Sequence, residues 1–200
     1  NLLGQTAIYG VSSIVGRVMN FFILTPFYTR IFDTQEYGAI TELYAYVAFL
    51  LVFLTFGMET AFFRFSSRDK SNANLVFSTA AISVLTTSCI FIGLIYLSNQ
   101  NIASVLGYSS NPEFIILFGW SVALDTFVTI PFARLRLQNK AVRFASINLA
   151  SISVNILLNL FFFLYCPAAS ESGVSWVTSF YDPSFGIGYV FVANLVASLT

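Results

Sequence analysis

Apolar residues run through this chain in long blocks, separated by short stretches that hold most of the charge. Each full block lasts about 20 residues without polar/apolar alternation, which predicts membrane-crossing helices and argues against barrel strands. Length and charge exclusion place six spans, at residues 6–29, 39–63, 75–97, 113–133, 144–166 and 187–200, the last incomplete. The connections add local signals. Asp33 and Glu36 have capping-box spacing and predict a helix start near Thr34. Asn111-Pro112-Glu113 offers a cap, a first-turn proline and an acid matched to the helix dipole. Ile102, Val105 and Leu106, ended by Gly107, predict a short helix lying in the membrane interface. Residues 167–186 read as an exposed loop, with Trp176 and Tyr181 at headgroup level.

Polar residues inside the apolar blocks fall on faces. Thr6, Gly10, Ser13, Arg17 and Asn20 recur at spacings of three and four and line one side of the first span. Ser121, Asp125 and Thr129 do the same on the fourth, and Asn148, Ile152, Asn155 and Asn159 on the fifth. Thr79, Ser83 and Thr86 form a milder stripe on the third, and Pro26 is expected to kink the first span or free a carbonyl. At a rise of 1.5 Å per residue, Arg17 lies about 16 Å from the inner end of its span and Asp125 about 18 Å from the outer end of its own. Both are therefore near mid-bilayer. A charge there costs several kcal/mol, so each needs a polar partner or a wet cavity. Two readings stand: a structural ion pair between Arg17 and Asp125, or a cavity shared by the polar faces of spans one, four and five. The Asn155/Asn159 stripe is open in the same way, to interhelical hydrogen bonding or to cavity lining.

Composition agrees with the pattern. The chain is 57% apolar and 9% charged, against about 25% charged in an ordinary soluble domain. Mean hydropathy is +0.80. A soluble chain of 200 residues cannot hide that much apolar surface, so the fold class is all-α, a polytopic transmembrane bundle. Zero net charge excludes a global field for nucleic acid. No histidine is present, and Cys89 and Cys166 fall within or at the end of spans, where they read as small apolar filler and not as a disulfide or metal site. No Gly-rich phosphate loop, no nucleophile beside a base and no paired carboxylate in a loop is found, so neither an enzyme nor a cofactor is expected.

Lysines and arginines set the orientation. Arg64, Arg68 and Lys70 lie in the second connection and Arg134, Arg136, Lys140 and Arg143 in the fourth, against Arg30 alone in the odd ones. This places the N-terminus and the even connections in the cytoplasm. The basic stretch from Arg134 to Arg143 reads as topology and headgroup contact, while Glu42 and Glu59, near span ends, read as snorkelling or capping. The chain starts at Asn1 and stops at Thr200 within an apolar run, and is expected to be the N-terminal part of a longer protein.

The ordered set Gly16-Arg17, Asn20-Phe21, Pro26, Tyr28-Thr29-Arg30, Glu36-Tyr37-Gly38, Gly57, Ala61 and Arg64-Phe65 resembles the amino-terminal portion of bacterial polysaccharide flippases. These are the Wzx-type O-antigen exporters of the multidrug/oligosaccharidyl-lipid/polysaccharide superfamily. The resemblance covers residues 5–65 closely and extends more loosely to 166. It implies a two-lobe bundle of about 12 to 14 helices, with residues 1–200 forming the first lobe of about six. It also implies movement of an undecaprenyl-diphosphate-linked oligosaccharide across the bacterial cytoplasmic membrane by alternating access. Other partners would be membrane lipids and the polymerase or glycosyltransferase machinery. A cationic cavity receives the substrate in that family, and its first-helix arginine corresponds to Arg17.

On the physical reading, Arg17 would bind the diphosphate through paired hydrogen bonds, and Ser13, Asn20, Ser121, Asn148 and Asn155 would meet the sugar. Asp125 would couple an ion or neutralise Arg17 in the empty state. The alternatives are a multidrug cation antiporter of the same architecture, which calls for acids in its cavity, and a membrane polysaccharide polymerase or ligase, which calls for acid/base groups in a large outer loop.

Overall fold

A computed structural model describes residues 9–11, 14–15, 18–68, 72–109 and 111–200, except the side chains of Asn20 and Phe21. Every regular element among them is helical. Four helical segments are long and apolar enough to cross a membrane: Thr34–Thr55, Ala73–Val105, Glu113–Leu137 and Ala141–Glu171. Gly188–Ser198 is a shorter apolar helix.

The first helix passes through a π-helical turn at Asn20–Leu24 into α1, Thr25–Ile31. Pro26 stands in the first turn of α1. A second π-helical turn, Phe161–Tyr165, sits in the same place before Pro167. Proline lacks an N–H and its ring crowds the carbonyl four residues back. A wider turn just upstream moves that carbonyl aside, so the helix continues past the proline.

Helix α2, Thr34–Thr55, starts where its capping box predicts. The Asp33 side chain accepts from the Gln35 amide, and Glu36 Oε2 accepts from the Asp33 amide at 3.3 Å. The single span expected over 39–63 is instead two helices. Phe56 and Gly57 both take positive φ, 48° and 66°, and the chain restarts as α3, Met58–Arg68. Glycine takes that conformation freely, and it ends helices by freeing the next residues to turn away. Phe62 of α3 then packs against Ala80, Val84, Ile130 and Ala133.

Helix α4, Ala73–Val105, is about 50 Å long at 1.5 Å per residue. The short interfacial helix expected at 102–106 is its last turn, closed by Gly107 at φ 81°. Helix α5, Glu113–Leu137, begins after Pro112, and no side chain caps it; Asn111 contributes only its carbonyl, to the Phe114 amide at 3.1 Å. Asn139, at φ 54°, turns the chain into α6, Ala141–Leu160. The loop expected at 167–186 is mostly ordered turns: α7 (Cys166–Glu171), α8 (Ser175–Thr178) and a 3-10 turn (Pro183–Phe185). Trp176 is half-exposed, whereas Tyr181 is partly buried and stacks on Tyr189 at 5.2 Å. The last helix, α9, is Gly188–Ser198.

Contacts fix the directions. Tyr9 packs edge-on against Phe144 at 5.2 Å, and Tyr28 bonds Asn159, so the first helix and α6 run parallel. Phe114 meets Phe191 at 5.7 Å, near the starts of α5 and α9. Ser151 bonds Ala197 and Asn155 bonds Asn194, so α9 runs antiparallel to α6. The main core lies among these helices and α2, with Leu43, Phe118, Val122, Ile156 and Val190 buried together.

Candidate functional site

Two adjoining cavities open between α5, α6 and α9. The larger, of about 440 Å³, is lined by Asp125, Thr129, Asn148, Ser151 and Ser198 among others. The smaller, of about 170 Å³, adds Asn155 and Asn194. Asp125, Ser151, Ala197 and Ser198 border both. Asp125 is the middle residue of α5, Glu113–Leu137, so in a bilayer-spanning helix this space lies close to the midplane. Its walls carry one carboxylate, three amides and several hydroxyls in an otherwise apolar bundle. Among the described residues no lysine or arginine lines either cavity.

Periodicity explains the placement. Ser151, Asn155 and Asn159 follow at one-turn intervals on α6, and Asn194 and Ser198 do so on α9. The two polar stripes face each other. Ser151 Oγ donates to the Ala197 carbonyl at 2.7 Å, and Asn155 Nδ2 donates to Asn194 Oδ1 at 3.4 Å. Asn159, fully buried, donates to the Asn155 carbonyl at 2.8 Å and to Asn155 Oδ1 at 3.3 Å, and accepts from the Tyr28 hydroxyl at 2.7 Å. A line of polar groups thus runs from the first helix along α6 to α9. Ser198 donates to the Asn194 carbonyl at 3.0 Å and lies beside the Asp125 carboxyl. Within α5, Pro131 has no N–H to give the carbonyl four residues earlier, that of Phe127.

Of the residues singled out from sequence, Asp125, Asn148 and Asn155 come together on this space. Asn159 serves interhelical bonding alone, while Asn155 serves both bonding and lining. Ser121 is 2% exposed, donates to the Leu117 carbonyl at 3.1 Å and borders only a minor recess beside Tyr44 and Asn194. Arg17 and Ser13 lie outside the described residues, as does the Asn20 side chain. Ser151, Asn194 and Ser198 were missed by sequence reading, although their four-residue spacing within apolar segments was the available signal.

The basic end differs from a plain headgroup contact. Arg136 pairs with Glu59 at 2.7 Å and lies over Phe63 and Phe144, at 5.6 and 5.8 Å from the ring centres. Arg134 donates to Asn74 Oδ1 at 2.8 Å with its guanidinium 4.2 Å from the Phe77 ring. The start of α3, the end of α5 and the start of α4 are thus pinned together. Glu59 is a bridging residue, and Glu42 accepts from Tyr46 at 2.9 Å and Tyr108 at 3.4 Å. Cys89 and Cys166 are both free thiols.

Known proteins supply the last observation. No curated protein and no solved structure matches the chain significantly. The profile of a family described as polysaccharide biosynthesis protein matches residues 27–173, well over half of the chain. With its membrane-crossing helices and polar interior, this chain belongs to the polysaccharide biosynthesis protein family.

Proposed function

We propose that the protein is a flippase that moves an undecaprenyl-diphosphate-linked oligosaccharide across the bacterial cytoplasmic membrane by alternating access. The observation that carries this reading is a polar cavity midway along the apolar helix α5, in a chain of the polysaccharide biosynthesis family. Amides at that depth can bond between helices, but an acid there is costly unless its charge is met, and intramembrane acids mark substrate or ion pathways. Amides and hydroxyls such as those of Asn148, Asn155 and Ser151 suit the sugar, which both donates and accepts hydrogen bonds.

The diphosphate needs a cation, and Arg17 is the candidate. In sequence it lies between Tyr9 and Tyr28, both of which pack on α6, the helix that carries Asn148 and Asn155. A guanidinium meets phosphate oxygens through paired bonds, which an ammonium does not match. The basic ends of α3 and α5 support a cytoplasmic N-terminus, and the polymerase or glycosyltransferase machinery would act before and after the transfer. No chemical step on the substrate is assigned to this chain.

The cation antiporter is the second reading, favoured by the acid and the lack of a base in the described lining. A polymerase or ligase is disfavoured, because the Asp182 carboxylate is engaged as a turn cap with Ser184. Export of surface polysaccharide by cells carrying Arg17→Ala, with membrane insertion checked in parallel, separates the readings. Loss of export with normal insertion is expected. Normal export would remove the anion receptor and favour the antiporter.

A further inference from the structure

We propose that the apolar groove between α2, α4 and α5 seats an acyl chain of a membrane phospholipid whose primary-amine headgroup is held by Glu42. The site requires only membrane-crossing helices, so it stands whether or not the protein flips a lipid-linked sugar. The groove encloses about 320 Å³ and shares no lining residue with the two cavities beside Asp125. Small-molecule sites run from about 300 to 1,000 Å³. Phe49 and Leu50 of α2, Phe91 and Ile102 of α4 and Phe118 of α5 form its walls, and the Tyr46 hydroxyl is the one polar side-chain group among the described lining. Phe49 is 70% and Tyr46 38% exposed, so the groove opens on the outside of the bundle, where a membrane protein meets lipid chains.

The polar rim selects the occupant. Tyr46 lines the groove and also donates its hydroxyl to Glu42 Oε1 at 2.9 Å. Tyr108, packed against Ile95, Ala103 and Ile115, donates to Glu42 Oε2 at 3.4 Å. The carboxylate is thus held one tyrosine ring away from the groove. Glu42 is exposed, and an ionised carboxylate has about four lone-pair sites, so the two tyrosines leave room for further donors. Among the described residues Glu42 makes no ion pair; the pair found there is Glu59–Arg136. Of the two cations outside the described residues, Lys70 falls in the connection to α4, beyond the end that Arg134 pins. Arg17 falls between Tyr9 and Tyr28, on the stretch that packs on α6.

Depth agrees with a lipid. Helix α4 spans about 50 Å, against about 40–45 Å for a bilayer with its headgroups, so its last turn and Tyr108 just beyond lie at headgroup level. From there the groove runs inward along α4, past Ile102 to Ile95 and Phe91. Charge then separates the lipids. Glu42 repels an anionic headgroup, a diphosphate-linked sugar included. A quaternary ammonium has no N–H to give a carboxylate, whereas a primary ammonium brings the charge and three donors. Phosphatidylethanolamine has that headgroup.

The test is native mass spectrometry of the complete protein in detergent, titrated separately with phosphatidylethanolamine, phosphatidylcholine and phosphatidylglycerol of the same acyl chains. Phosphatidylethanolamine is expected to bind about tenfold more tightly than the other two, the worth of one charge-assisted bond. It should also raise Tm. Glu42→Gln keeps the size of an exposed side chain, so it should melt as the wild type does without lipid and bind phosphatidylethanolamine no better than phosphatidylcholine. Ile102→Trp puts a ring into the groove and should weaken all three lipids alike. Equal binding of the three by the wild type, or a preference unchanged in Glu42→Gln, would overturn the proposal. So would binding untouched by Ile102→Trp, which would put the lipid elsewhere, and the absence of bound lipid, as when another part of the protein covers the groove.

Discussion

The Tyr28 hydroxyl donates a 2.7 Å hydrogen bond to Asn159 Oδ1 across 131 residues of chain, and both groups are buried. This bond ties the first helix to α6 and fixes which way the Asn159 amide faces. Tyr28→Phe removes the donor without changing the packing volume and leaves a buried acceptor unpaired. Such a loss costs about 1–3 kcal/mol in water-soluble cores, whereas interhelical bonds in membranes average about 0.6 and reach about 1.7. Asn159 is fully buried, so the upper part of the membrane range applies and a loss of about 1–1.7 kcal/mol is expected. Chemical denaturation in detergent checks it. A Tyr28→Phe protein as stable as the wild type would show that the bond does not hold the helices together.

Gly188 opens α9 where it meets the aromatic cluster at the start of α5. A Cβ there would collide with ring atoms of Phe185 and Phe114. Gly188→Ala should therefore push α9 off its seat at a cost of about 1–3 kcal/mol, despite alanine's better helix propensity. Gly93→Ala, on α4 with open space at its Cβ, is the control and should be neutral or slightly stabilising.

The Glu59–Arg136 pair is about one-third exposed on each side. Solvent screening holds such a pair to under about 1 kcal/mol, so Glu59→Gln should cost little. Arg136→Ala should cost more, because it also vacates the faces of Phe63 and Phe144. Melting of the two single variants and the double variant isolates the pair; equal losses for the two single variants would contradict this division.

Asp182 caps the Pro183–Phe185 turn, accepting from the Ser184 amide at 2.9 Å and its hydroxyl at 2.7 Å. These bonds, the side-chain one first, hold its carboxyl below the usual range. A depressed folded value means the cap contributes its full stability above the unfolded value of about 3.9 and loses it as pH falls through the folded one. Amide exchange at Ser184 and Phe185 should accelerate below about pH 4 in the wild type, and be fast and pH-insensitive in that window in Asp182→Ala once intrinsic exchange is divided out. Identical profiles would refute the cap.

Sequence pattern showed the bundle well, because apolar length is a direct consequence of bilayer thickness. It misread the second span. Residues 39–63 are mostly apolar, with acids only near the two ends, and backbone geometry at Phe56 and Gly57 reveals the break. It also cut α4 short, since Asn99, Gln100 and Asn101 look like a loop yet lie within the helix. Half of the site was visible: Asp125, Asn148 and Asn155 fall on polar stripes that do converge. Asn194 and Ser198 escaped because one polar pair in a short final segment is weak periodicity. Ser121 shares the Asp125 stripe, yet a one-turn shift along α5 carries it out of the cavity and into the packing beside Tyr44.

The account depends on water reaching the space beside Asp125. The most direct measurement is labelling by a membrane-impermeant thiol reagent of Ser151→Cys, in a background with Cys89→Ser and Cys166→Ala. Ser151 borders both cavities, whereas Leu157, 64% exposed on the outside of α6, would face lipid and supplies the comparison as Leu157→Cys. Labelling of Ser151→Cys with Leu157→Cys silent is the predicted result. Ser151→Cys as unreactive as Leu157→Cys would mean a dry interior, and would contradict the account.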